Sequence, residues 1–201
     1  MIREAFLQVL ENIWPMILIF SVVLISIRIT FILRKKEKII LHKELLSFLF
    51  ILYILFLFYV VTFQDVSSGG INFIPFKEMF RYEIGSHLFM KNVIGNVLIF
   101  MPYGFFVSSF LTLKKPNTII ILTFITSLTI EVTQGLIGRI FDIDDIFLNI
   151  MGGLFGYLSY YLIIKSNYLL PKFLRKDFFY DIITIVLMII SVLYFFKVIG
   201  G

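Results

Sequence analysis

Apolar runs at 13–33, 45–63, 93–113, 117–137, 146–164 and 178–196 alternate with short polar stretches along the chain. Each run is about 20 residues long, the length at which a helix crosses a hydrocarbon core of about 30 Å. None shows the period-two alternation that a barrel strand needs, and a helix is the other way to satisfy a backbone in lipid. The pattern predicts an all-α fold, a polytopic integral membrane bundle of about six transmembrane helices. No inverted internal repeat of the kind found in many transporters is visible. One connection is long: residues 64–92 open on the breaker-rich QDVSSGG and continue INFIPFKEMF. Its mixture of apolar and charged positions predicts a re-entrant or interfacial segment. The flank 1–12 lacks a basic start and no small-residue cleavage site follows 13–33, so the first run is read as a retained helix.

Composition strengthens the membrane reading. Of 201 residues 60% are hydrophobic, 15% are charged and 25 are Phe, more aromatic bulk than a soluble core of this size would hold. There is no cysteine, which rules out a disulfide framework. The net charge of +5 is spread over short juxtamembrane runs and forms no basic face for nucleic acid.

The placement of those charges orients the bundle. The connections 34–44, 114–116 and 165–177 carry eleven Lys and Arg, against six on the other side. Lys and Arg collect in cytoplasmic loops, so both termini are expected to be extracellular. Arg28 is the one basic residue within a span, close enough to its cytoplasmic end to snorkel to the headgroups.

Two polar strings interrupt this greasy chain, NVIGNVLIFMP at 92–102 and EVTQGLIGRIFDIDDIFLN at 131–149. Unpaired polar groups cost several kcal/mol each against lipid, so such strings mark sites. Asn92 and Asn96 stand at i, i+4 at the start of the third span. Glu131 and Gln134 share a face at the end of the fourth, and Asn149 lies four residues after Asp145 at the start of the fifth. All therefore fall in one outer-leaflet layer. Candidate ligand-binding residues are Asn92, Asn96, Glu131, Gln134, Arg139, Asp142, Asp145 and Asn149, and Glu131 and Asp145 are the candidates for acid/base work. Arg139 would pair with a phosphate or carboxylate, or neutralise one of the acids. The carboxylates and amides are of a type that suits Mg²⁺ or Ca²⁺, but their spacing matches no defined loop, so no metal site and no cofactor are assigned. A blander reading stands beside these: Asn and Gln as interhelical hydrogen-bond partners, and Asp142, Asp144 and Asp145 as a solvated turn and helix N-terminus.

Gly152 and Gly156, and likewise Gly135 and Gly138, are spaced for close helix packing, while Pro102 with Gly104 predicts a kink in the third span. His42 and His87 have no sequence partner that would activate them. Gly-x-Ser-x-Gly, His-Glu-x-x-His, Walker and histidine-based lipid-phosphatase patterns are all missing.

Three pieces, INFIPF at 71–76, the N-x-x-x-N-x-x-x-F-x-P-x-G run from Asn92 to Gly104, and E-x-x-Q-x-x-x-x-R followed by D-x-x-D, N and GG from Glu131 to Gly153, resemble the VanZ family of small bacterial membrane proteins. The resemblance implies a multi-pass protein of the cytoplasmic membrane, associated at the cell envelope with low-level resistance to teicoplanin and related lipoglycopeptides. It brings no settled catalytic mechanism. It divides the chain into an N-terminal helix and basic loop (1–44), a VanZ-like core of four spans (45–164) and a C-terminal loop and helix (165–201). Beyond the lipid bilayer, the expected partner is a lipid-linked cell-wall precursor or glycopeptide, bound or masked at the outer leaflet. The alternative is a membrane enzyme acting on a lipid-linked envelope substrate, using Glu131 and Asp145 with Arg139. A transporter fits less well, because the polar layer lies at one end of the spans and transporter sites lie near the midplane.

Overall fold

The computed structural model describes residues 2–35, 38–63, 70–77, 79–167 and 170–199, with backbone alone at 2–10, 12, 63, 173 and 190–199. The stretch 64–69, most of the breaker-rich opening of the long connection, lies outside the described residues, as does Lys36 of the basic loop. The long helices are α1 (Ile2–Lys35), α2 (Leu41–Phe63), α4 (Gly95–Leu111), α5 (Asn117–Leu136), α6 (Ile143–Asn167) and α7 (Asp177–Ile199). A single turn, α3 (His87–Phe89), and a π-helical turn, Met90–Ile94, run into α4. Five helices among the described residues are long and apolar enough to cross a membrane, so the chain is an all-α, multi-pass membrane protein. The sixth expected span is also helical, as α7.

The chain divides into two compact units, residues 56–166 and residues 1–55 with 167–201. In the second of these, Arg28 has a partner that its place near a span end did not announce. Its guanidinium forms a two-pronged pair with Glu44 (Nε to Oε2 2.8 Å, Nη2 to Oε1 2.6 Å). Pairing removes two isolated charges from an apolar surround, which is cheaper than leaving either alone. His42 is also partnered: its backbone N–H and ring Nδ1 both meet Oδ1 of Asp181, at 2.9 and 2.8 Å.

The unit 56–166 is built on α4, α5 and α6, packed through small residues. A Cβ on Gly152 would run into the Val97 carbonyl, and one on Gly156 into Met101 O and Phe105 N. Gly104 faces the backbone of Gly153 in the same way, so it is a contact point between α4 and α6. The kink expected at Pro102 does not divide the span, since α4 continues through it from Gly95 to Leu111. Gly135 and Gly138 behave differently from the pair on α6. Gly135 is in ordinary contact with Phe141, and Gly138 lies beyond the end of α5 at φ +85°, where it turns the chain. Between α4 and α5, Tyr103 Oη and Thr126 Oγ1 are 2.8 Å apart. Phe100 and Ile119 fill the interior.

One feature departs from a purely helical reading. Strands β1 (Gly70–Asn72) and β2 (Ile140–Asp142) pair in parallel, Asn72 opposite Asp142. This two-stranded ladder ties the long connection to the chain entering α6, at the end of the unit opposite the Lys114–Lys115 turn.

Candidate functional site

The ladder matters because of what it does with side chains. Asn72 is buried and its Nδ2 donates to Oδ1 of Asp142 at 2.8 Å, while its own Oδ1 accepts from the Ile74 amide at 3.2 Å. Asp142 then accepts from the Asp144 amide at 2.9 Å, satisfying one of the N–H groups that a helix start leaves without a partner. The Asp142 amide in turn donates to Oε2 of Glu131, at 2.9 Å. Asn72, Asp142, Asp144 and Glu131 thus form one chain of hydrogen bonds from β1 through β2 to α5 and α6.

Asp144 faces the other way. Its carboxylate accepts from the amides of Phe76 (2.5 Å) and Met79 (3.2 Å), fastening the turns after β1 over the start of α6. Phe76 is held there at φ 66°, a left-handed conformation unusual for a bulky residue. The reading of 142–145 as a solvated turn fails for two of its acids: Asp144 is 1% exposed and Asp142 8%. Acids at this position still suit the positive end of the α6 dipole.

The remaining predicted residues gather around this core. Asn96 on α4 donates to Oδ1 of Asp145 on α6. Asn149, one turn further along α6, donates to Ser127 Oγ on α5 at 2.8 Å. Arg139 donates to the Val61 carbonyl near the end of α2, at 2.7 Å. With its amide turned to suit both neighbours, Gln134 donates to Glu131 Oε1 (3.2 Å) and accepts from Arg139 (3.0 Å). Asn92 lines the space beside them.

All eight residues singled out from the sequence border one cavity of about 480 Å³. Asp144 borders it as well, and Arg81, Tyr82 and Lys91 come from the long connection and the start of the third span. The lining therefore combines four carboxylates, three cationic side chains and several amides, with Leu57, Phe100 and Leu148 as apolar wall. Carboxylates and amide oxygens accept from hydroxyl and amide donors, and the cations suit a phosphate or carboxylate. No group of three or more His, Cys, Asp or Glu placed to hold a metal ion occurs among the described residues. Asp142, Asp144 and Glu131 are turned toward amide donors instead.

Asn72, Arg81, Tyr82 and Lys91 are among the contributors that site reasoning from the sequence passed over. The signal for Asn72 was its position as the only strongly polar residue in INFIPF. No curated protein and no solved structure matches the chain. Residues 45–164, more than half of its length, do match the sequence model of the VanZ/LLP1 family, and the chain belongs to that family.

Proposed function

We propose that this VanZ-like protein acts in the bacterial cytoplasmic membrane by binding a lipid-linked or cell-wall ligand in the polar cavity, lowering susceptibility to teicoplanin-type lipoglycopeptides. The observation that carries the proposal is the cavity of about 480 Å³ into which three spans and the long connection all send polar side chains. Its acceptors match the hydroxyls and amides of a glycan or peptide, and Arg81, Lys91 and Arg139 match a phosphate. Binding is favoured over catalysis because the two acid/base candidates are occupied in holding the framework. Glu131 accepts from the Asp142 amide and Asp145 from Asn96. Neither histidine borders the cavity among the described residues.

The test is teicoplanin susceptibility in cells expressing each variant at matched membrane abundance. Asn92→Leu, which replaces a polar lining group with a larger apolar one, should lower the apparent ligand affinity and the resistance it confers by about fivefold, equivalent to about 1 kcal/mol. Unchanged susceptibility in that variant ends the binding proposal. Glu131→Gln and Asp145→Asn preserve shape and should weaken resistance only modestly. A loss of activity by orders of magnitude on a lipid-linked substrate would favour the enzyme instead.

The same proposal puts the cavity on the outer face, as the excess of Lys and Arg on the opposite connections suggests. The chain has no cysteine, so single replacements report cleanly. In intact cells a membrane-impermeant thiol reagent should label Ile84→Cys and leave Lys115→Cys unmodified until the membrane is opened. The reverse pattern would turn the site to the cytoplasm.

A further inference from the structure

Beside the polar cavity lies a second, shallower space of about 590 Å³, lined among the described residues by Phe76, Lys77, Phe80 and Arg81. Arg81 borders both. We infer that this groove is a binding site for an anionic phospholipid of the protein's own bilayer, with the phosphate between Lys77 and Arg81 and the chains along Phe76 and Phe80.

Three observations converge on that occupant. The first is exposure: Phe80 is 83% exposed, Phe76 48% and Ile84 90%, an apolar concentration that a surface facing only water rarely carries. The second is position. The groove belongs to the turns that Asp144 fastens over the start of α6, where Phe76 stacks on Phe147 of that helix at 5.7 Å and 18°. It therefore lies at the end of a membrane span, the level at which aromatic rings and basic side chains together meet headgroups. The third is charge. Among the described residues, both ionic groups that line the groove are cations, which complements a phosphate that carries net charge and gives less to one balanced by choline. The backbone holds the wall in place, with the Phe80 amide donating to the Phe76 carbonyl at 3.2 Å and the two rings 6.3 Å apart.

The single tryptophan makes the site measurable. Trp14→Phe with Phe80→Trp gives one fluorophore in the groove of the full-length protein, reconstituted in phosphatidylcholine nanodiscs. Brominated phosphatidylglycerol or brominated phosphatidylcholine is then added at equal mole fraction. Phosphatidylglycerol should quench with an apparent affinity about fivefold to tenfold higher, as expected for two cations at the headgroup level. Adding Lys77→Gln and Arg81→Gln, both at exposed positions, should reduce that preference to near unity while quenching by either lipid persists. Equal quenching by the two lipids, no quenching by either, or a preference that survives the double replacement would each overturn the inference. Antibiotic susceptibility plays no part in the measurement, so its failure and that of the proposed function are separable.

Discussion

Replacing Asp144 with Ala will release the turns that carry Phe76 and Met79 from the start of α6, and amide exchange at those two residues will accelerate by about a hundredfold or more. The Asp144 carboxylate, 1% exposed, is the acceptor for both amides. Hydrogen bonds to a charged group are worth about 1.5–3 kcal/mol each, and an alanine leaves both donors without a partner inside the protein. An opposing effect has to be weighed. Asp142 and Asp145 flank Asp144 in sequence and border the same cavity with Glu131, and like charges in such surroundings repel by about 1–3 kcal/mol. Removing one acid relieves some of that repulsion, so global stability will change less than the two lost bonds suggest. Exchange at the two named amides cannot be rescued in this way, which makes it the deciding readout. Asp144→Asn should fall between, because one amide oxygen replaces two carboxylate oxygens. Exchange at Phe76 and Met79 that matches the parent protein in Asp144→Ala would show that something else holds the turns. The consequence for the site follows directly. Arg81 and Tyr82 reach the cavity from the chain just beyond these turns, so their release removes that part of the lining.

This fastening shows where sequence patterns stop being informative. The spans were legible because an apolar run of about 20 residues has few alternatives in a bilayer. The convergence of Glu131, Gln134, Asp145 and Asn149 was legible as well, since i, i+3 and i, i+4 spacings at helix ends fix which groups share a level. Contacts between distant segments left no such trace. The pairing of Gly70–Asn72 with Ile140–Asp142 involves three residues a side, too short for any periodicity to register. Nothing local distinguishes Asp144, which clamps a loop, from Asp142, which links the ladder to Glu131. Glu44 sits just outside the expected second span and sixteen residues from Arg28, so the ion pair between them had no helical spacing to announce it. Gly104 was read with its neighbour Pro102 because the backbone it actually meets, at Gly153, lies far away in sequence.

That last contact carries the second large effect. Gly104→Ala should destabilise the protein by about 1–3 kcal/mol net, against at most a neutral change for Gly135→Ala. The added methyl would overlap the carbonyl oxygen, carbonyl carbon and Cα of Gly153, all of them backbone. A flexible side chain can rotate out of such a clash, whereas a helix backbone can only move as a body, so α4 and α6 must separate. Alanine's better helix propensity, about 0.5–1 kcal/mol over glycine, offsets part of this cost at both positions. At Gly135 it meets only an ordinary contact with Phe141, at 3.7 Å from the new carbon, and so is not outweighed. Thermal unfolding of the two variants in one detergent separates the effects, and equal midpoints would mean that α4 and α6 do not meet at these glycines. Gly156→Ala, directed at Met101 O and Phe105 N, should behave as Gly104→Ala does. The same displacement reaches the cavity, because the helices being forced apart carry Asn96 and Asp145, whose hydrogen bond spans the gap between them. A substitution on the dry face of the packing will therefore weaken the polar site as well, and Asn92→Leu, which leaves the glycines untouched, will impair the site without lowering the unfolding midpoint.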